Sequence, residues 1–219
     1  MTAPENNYVI YSDVLCAADY GAPQKRMRFV VIGIKRDISE KIALPKGSYD
    51  ADEYRTVKDA IGDLEDIKPV YTLAEDKQGI VLPKAENLSE LASTLRDSPV
   101  LHNHIVTKTT DTALERFRAL KPGQNFHCLD DSLKTNTYTD AKRTQNTIYQ
   151  RLKYDEPSGT VVNVRKSMWI HPEHDRAISI REAARLQTFP DSFVFYGSKD
   201  KQYQQAVGVV NFVGLAVLM

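Results

Sequence analysis

Gln24, Arg26 and Arg28 stand at every second position in "YGAPQKRMRFVVIGIKRD", just ahead of the apolar run Phe29 to Ile34. Side chains of a β-strand alternate between its faces, so all three emerge on one side: an amide and two guanidiniums, a row of hydrogen-bond donors at a strand edge. Gly21 and Pro23 punctuate the approach, and the near-continuous Val/Ile run predicts a strand covered on both faces, as in a parallel α/β sheet. The pattern equally describes an edge strand with a solvated, charged start. Other reactive residue types offer less. Cys16 and Cys128 lie far apart, give neither a disulfide framework nor zinc spacing, and are expected to be small buried residues. His171 and His174 in "HPEH" are too close and too turn-like for a zinc-binding helix, so no metal site is expected.

The chain has 219 residues, 42% of them hydrophobic, enough to bury a real core as one large domain or two small ones. No run of eighteen apolar residues occurs, and "MTAPENNYVIYSD" has neither a basic start nor an apolar signal core. Neither a membrane span nor secretion is indicated, and a cytoplasmic location is expected. A net charge of zero argues against a large nonspecific nucleic-acid coat. The charge is uneven, with 8 Lys/Arg against 14 Asp/Glu over residues 37–100 and 9 against 5 over residues 141–185. The second stretch carries Arg143, Arg151, Arg165 and Lys166 and suits either a polyanion or an ordinary solvated surface.

Three parts follow along the chain. Residues 7–36 are strand-rich, and "YDADEYRTVKDAIGDLE" then sets Val57, Ile61 and Leu64 at helical spacing among acids, a short amphipathic helix between two bodies. Residues 67–175 are irregular, with turns at "LPKAEN", "LKPGQN" and "YDEPSGTVVNV". From Ile178, "ISIREAARLQTF" puts Ile180, Ala184 and Leu186 to Phe189 in helical phase up to Pro190. The apolar "QQAVGVVNFVGLAVLM" closes the sequence and is expected to pack on the first part. Trp169 is expected in the core, with a wedge between base steps as its second role. Arg181 and Arg185 share a helix face and suit either phosphate contact or ion pairs at a junction; architecture is favoured for Glu182 and Arg185.

In that order, "YGAPQKRMR", "REAARLQTFPDSF" and the closing apolar segment resemble the C-terminal half of DNA cytosine-5 methyltransferases, and "TVKDAIGDL" and "DEPSGTV" are similar to pieces that flank that family's recognition region. The resemblance implies an α/β fold, the C-terminal part of a Rossmann-like methyltransferase lobe plus a small mixed, loop-rich target-recognition domain. Residues 1–66 would end the catalytic lobe, 67–175 would form the recognition domain, and 176–219 would hold a hinge helix and a segment returning to the lobe. It also implies methyl transfer from S-adenosylmethionine to carbon 5 of a cytosine flipped out of double-stranded DNA, because that atom is out of reach inside the stack. By motif position Arg28 is the donor closest to the flipped base, Arg26 its companion, and Gln24 a residue that orders the start of the strand. Arg143, Arg151, Arg165, Lys166 and Arg181 are the candidate DNA contacts, and Gly208 is the candidate cofactor contact.

The same resemblance exposes gaps. The family's Pro-Cys nucleophile, Glu-Asn-Val glutamate and Gly-rich cofactor turn have no counterparts: Cys16 follows Leu15, Cys128 follows His127, and no Gly-x-Gly occurs. Aligning Gly208 with the closing motif puts Val209 where Asn is expected and Phe212 where Pro is expected. The expectation is a DNA-recognition half, inactive alone, whose partner is a chain or segment carrying the N-terminal motifs. The alternative is a non-catalytic module or inactive remnant that binds DNA or a partner.

Overall fold

The computed structural model describes residues 7–38, 43–134, 145–161 and 169–207. Strands β1 (Tyr8–Cys16) and β2 (Met27–Lys35) pair antiparallel, from Tyr8 opposite Lys35 to Cys16 opposite Met27. A 3-10 turn, Ala17–Tyr20, joins them and ends at Gly21, whose φ of 82° and 2.9 Å clearance from an added Cβ to the Tyr49 ring both disfavour a side chain. The partner of β2 is therefore the preceding strand in a hairpin, and the expected parallel pairing is corrected. An apolar run reports that both faces seek cover but says nothing about strand direction. Tyr8, Ile10, Val14, Met27, Phe29 and Val31 share one face and are all exposed, Phe29 at 68%.

The main core lies beyond the hairpin. Thr56 and Asp59 form a reciprocal capping box that starts α1 (Val57–Ile61), and Val57, Ala60 and Ile61 face inward. They pack in one cluster with Leu91 and Leu95 of α3 (Glu90–Leu95), Ile105, Leu152, Trp169, α5 (Ile180–Arg185) and Tyr203 of α6 (Lys199–Val207). This cluster crosses the boundaries expected at 66/67 and 175/176. Trp169 is fully buried in it. A smaller cluster joins Ala113 and Phe117 of α4 (Asp111–Ala119) to Phe126, Leu129, Tyr149 and Ile170. A third, of Leu64, Leu82 and Leu101, involves β3 (Ile80–Val81) paired with β4 (Val100–Leu101) and is bordered by α2 (Leu73–Asp76) in sequence.

Helix α5 ends sooner than its periodicity predicts. Thr188 takes φ 63°, its N–H bonds to Arg185 O, and Phe189 N–H reaches back to Ala184 O. That is a left-handed helix stop of the kind glycine usually makes, followed by Pro190, and it turns the chain away after Gln187. Cys16 is buried, whereas Cys128 is exposed, against expectation, because Phe126 takes the inward position of its 3-10 turn. Among the described residues no helix is long and apolar enough to cross a membrane.

Candidate functional site

The donor row meets the turn after α5. Gln24, fully buried, donates from Nε2 to Leu186 O at 3.1 Å. From the other side Lys25 N–H bonds to Ser158 O at 2.8 Å and Ser158 N–H to Pro23 O at 2.9 Å, so the chain before β2 is held by two segments far apart in sequence. Arg26 is 7% exposed and donates from Nη1 to Gln187 Oε1 at 3.3 Å. Burial, and then the charge of Arg28, push its guanidinium below the usual arginine range. Arg28 lies half-buried at the surface, where Nη1 donates to the adjacent Met27 carbonyl at 2.7 Å. The three residues are thus graded outward along the strand start: Gln24 locked, Arg26 buried, Arg28 at the surface.

Behind this row stands a buried charge network. Arg185 donates to both oxygens of Asp191, at 2.9 and 2.6 Å, and to Asp63 at 2.5 Å and Ala60 O at 3.1 Å. Glu182 accepts two bonds from Arg176, at 2.8 and 2.7 Å, and closes a capping box with Ser179. Burial alone would raise the Glu182 pKa, but Arg176 holds it well below the carboxylate range. Nδ1 of His171 accepts the N–H groups of Glu173 and His174, which leaves its proton on Nε2, 3.4 Å from Tyr154 Oη and 3.8 Å from Glu182 Oε1. Burial pushes His171 down to about 3. Among the described residues no group of three or more His, Cys, Asp and Glu is arranged to hold a metal ion.

Two candidate DNA contacts are corrected. Arg181 is fully buried and donates to His102 O, Pro190 O, Asn103 Oδ1 and Phe193 O, which leaves no donor face for a phosphate. Arg151, 5% exposed, donates to Phe117 O, His171 O, Pro172 O and Asp175 Oδ1 and ties the small core to the "HPEH" turn. Arg143, Arg165, Lys166 and Gly208 lie outside the described residues. Sequence reasoning missed Gln187, Asp191, Asp63 and Ser158. Gln187 and Asp191 sit within the quoted "REAARLQTFPDSF", so a signal existed; Asp63 is one acid among many.

The family resemblance implies S-adenosylmethionine. Two concavities of the described residues, one between Lys58 and Arg96 and one between Glu65 and Arg176, contain no Phe, Tyr or Trp to stack an adenine.

Comparison with known proteins gives a consistent picture. Residues 2–212 match the family described as C-5 cytosine-specific DNA methylase. Over 212 residues the chain is 29% identical to the Type II methyltransferase M.DdeI of Desulfomicrobium norvegicum, covering 90% of this chain and 50% of that protein. It is 33% identical over 203 residues to the Type II methyltransferase M1.HphI of Haemophilus parahaemolyticus, covering 93% and 45%. A crystal structure of a candidate DNA modification methyltransferase encoded within an E. coli prophage superposes with a TM-score of 0.67 at 25% identity, covering 97% of this chain and 59% of that one. The chain spans about half the length of the curated relatives it matches.

Proposed function

From the premise that the chain belongs to the C-5 cytosine-specific DNA methylase family, we propose that it is the DNA-recognition and base-supporting half of a methyltransferase that modifies cytosine at carbon 5. The target is a cytosine flipped from duplex DNA, and Arg28 donates to its ring oxygen, where charge builds up as the ring is attacked. Arg26 backs it, Gln24 fixes the strand start, and residues of the basic stretch, Arg143, Arg165 and Lys166, bind DNA. The nucleophile, the glutamate and the S-adenosylmethionine pocket come from a second chain or segment with the Pro-Cys, Glu-Asn-Val and Gly-rich motifs, so this chain alone transfers no methyl group. Methyl donation is the chemistry the cofactor supplies once bound there.

The observation that carries this reading is the docking of the donor row onto the turn after α5, through Gln24 to Leu186 O and Arg26 to Gln187. It leaves Arg28 as the outermost donor on a rigid support. The exposed apolar face of the hairpin supports the need for a complementing segment.

The test compares two variants in the presence of the complementing segment. Arg28→Ala should lower the single-turnover rate far more than duplex affinity, because its contact forms only with the flipped base. Arg165→Ala should weaken duplex binding and reduce the salt slope by about one unit. An unchanged rate with lowered affinity for Arg28→Ala would return that arginine to an ordinary phosphate or surface role.

A further inference from the structure

Gln187 is fully buried, and its amide is engaged at both ends: Oε1 accepts from Arg26 Nη1 at 3.3 Å, and Nε2 donates to Ala206 O. Ala206 belongs to α6, so the amide links Arg26 to the backbone of that helix. The amide is planar. With Nε2 committed to that carbonyl, Oε1 is aimed at Arg26, which fixes both the orientation and the acceptor role of the side chain. Arg26 in turn has little else: its Nε is buried with no hydrogen-bond partner among the described residues. The backbone beneath Gln187 is strained, since Thr188 is β-branched yet takes φ 63°. Such strain persists where the surroundings enforce it, and here it lies directly after Leu186 and Gln187, which hold Gln24 and Arg26.

We infer that Gln187 is a positioning residue, a strut that ties the Arg26 guanidinium to Ala206 of α6 and so couples the donor row to that helix. The inference rests on the proposed role of the donor row only for its catalytic consequence; the coupling itself is a property of this chain. Leu186 and Gln187 then serve as one clamp, the first gripping Gln24 through a carbonyl and the second gripping Arg26 through a side chain. Loss of the strut leaves a buried cation free to reorient while the α5 ion pairs stay intact.

The experiment follows the guanidinium Nη–H resonances of 15N-labelled full-length chain at low temperature, with the Arg26 signal identified by its loss in Arg26→Lys and those of Arg181 and Arg185 as controls. In Gln187→Met, which keeps the volume and removes both hydrogen bonds, Arg26 Nη–H should exchange with water roughly tenfold faster while the two controls hold. Gln187→Glu keeps an acceptor for Arg26 but loses the donor to Ala206 O, so it isolates the Arg26 half of the strut and should retain slow exchange at Arg26. An unchanged Arg26 signal in Gln187→Met overturns the inference, and so does the collapse of all three signals together, which would make Gln187 a packing residue. With the complementing segment present, Gln187→Met should also lower kcat roughly tenfold at constant KM for DNA. If the wild-type mixture transfers no methyl group the functional reading fails, and the resonance result still decides the strut.

Discussion

The β1–β2 hairpin and the α5 segment invert each other's burial. In α5 and the turn behind it, Arg181, Glu182, Arg185 and Asp191 are all fully buried, while in the hairpin Phe29, Val31, Met27 and Ile10 stand more than half exposed. Charge is inside and apolar surface is outside, the reverse of what composition leads one to expect. In α5 every buried charge has a partner: Arg185 holds Asp191 and Asp63, Arg176 holds Glu182, and Arg181 is wrapped by carbonyls. The ion-pair junction is complete within the chain. Among the described residues the hairpin pairs its two strands only with each other, so each keeps an open edge, and it leaves the apolar side chains of one face exposed. The contrast separates a finished element from one shaped for cover that the described residues do not supply.

Breaking the finished element should cost most. Asp191→Ala leaves Arg185 buried beside a single remaining carboxylate, and urea unfolding should register a loss of about 3–5 kcal/mol. A loss below about 1 kcal/mol would erase the distinction between the two regions.

Acid should attack the same junction. His171 stays neutral in the folded chain down to about 3, whereas the unfolded chain takes up that proton near the ordinary histidine value of 6.5. Below that value the unfolded state binds more protons, so stability falls with pH at up to about 1.4 kcal/mol per unit. Glu182, held low in the folded state, stabilises above its unfolded value of 4.5, and that contribution is lost as pH falls further. Both slopes have the same sign. Denaturation of His171→Asn across pH 7 to 4 should show a flatter acid limb than wild type; an equal slope would remove His171 from the account.

The smallest effect on folding should come from the hairpin. Phe29→Ser should change unfolding free energy by within about 0.5 kcal/mol, since the ring is 68% exposed. Light scattering should nonetheless show wild type as more than a monomer and Phe29→Ser shifted towards one. A wild-type monomer at high concentration would mean the apolar face is already covered.

Much of this was legible in the residues. The spacing of Gln24, Arg26 and Arg28, the inward positions of Val57, Ile61 and Leu64, and the architectural role of Glu182 and Arg185 follow from local pattern. Long-range facts were not. Nothing local distinguishes Arg151 and Arg181 from surface arginines, because their partners are backbone carbonyls supplied by distant turns. Asn103, with φ 64°, bonds to Phe195 and Gln202 across the core without any motif around it. The direction of β2 pairing is not legible in the sequence, because the apolar run encodes burial on two faces and carries no information about which strand lies beside it.

Methyl transfer from labelled S-adenosylmethionine to mixed-sequence duplex DNA tests the central claim most directly. The account predicts background counts for the purified chain and transfer once a segment carrying the Pro-Cys, Glu-Asn-Val and Gly-rich motifs is added. Turnover by the chain alone, abolished by Cys16→Ser, would contradict it.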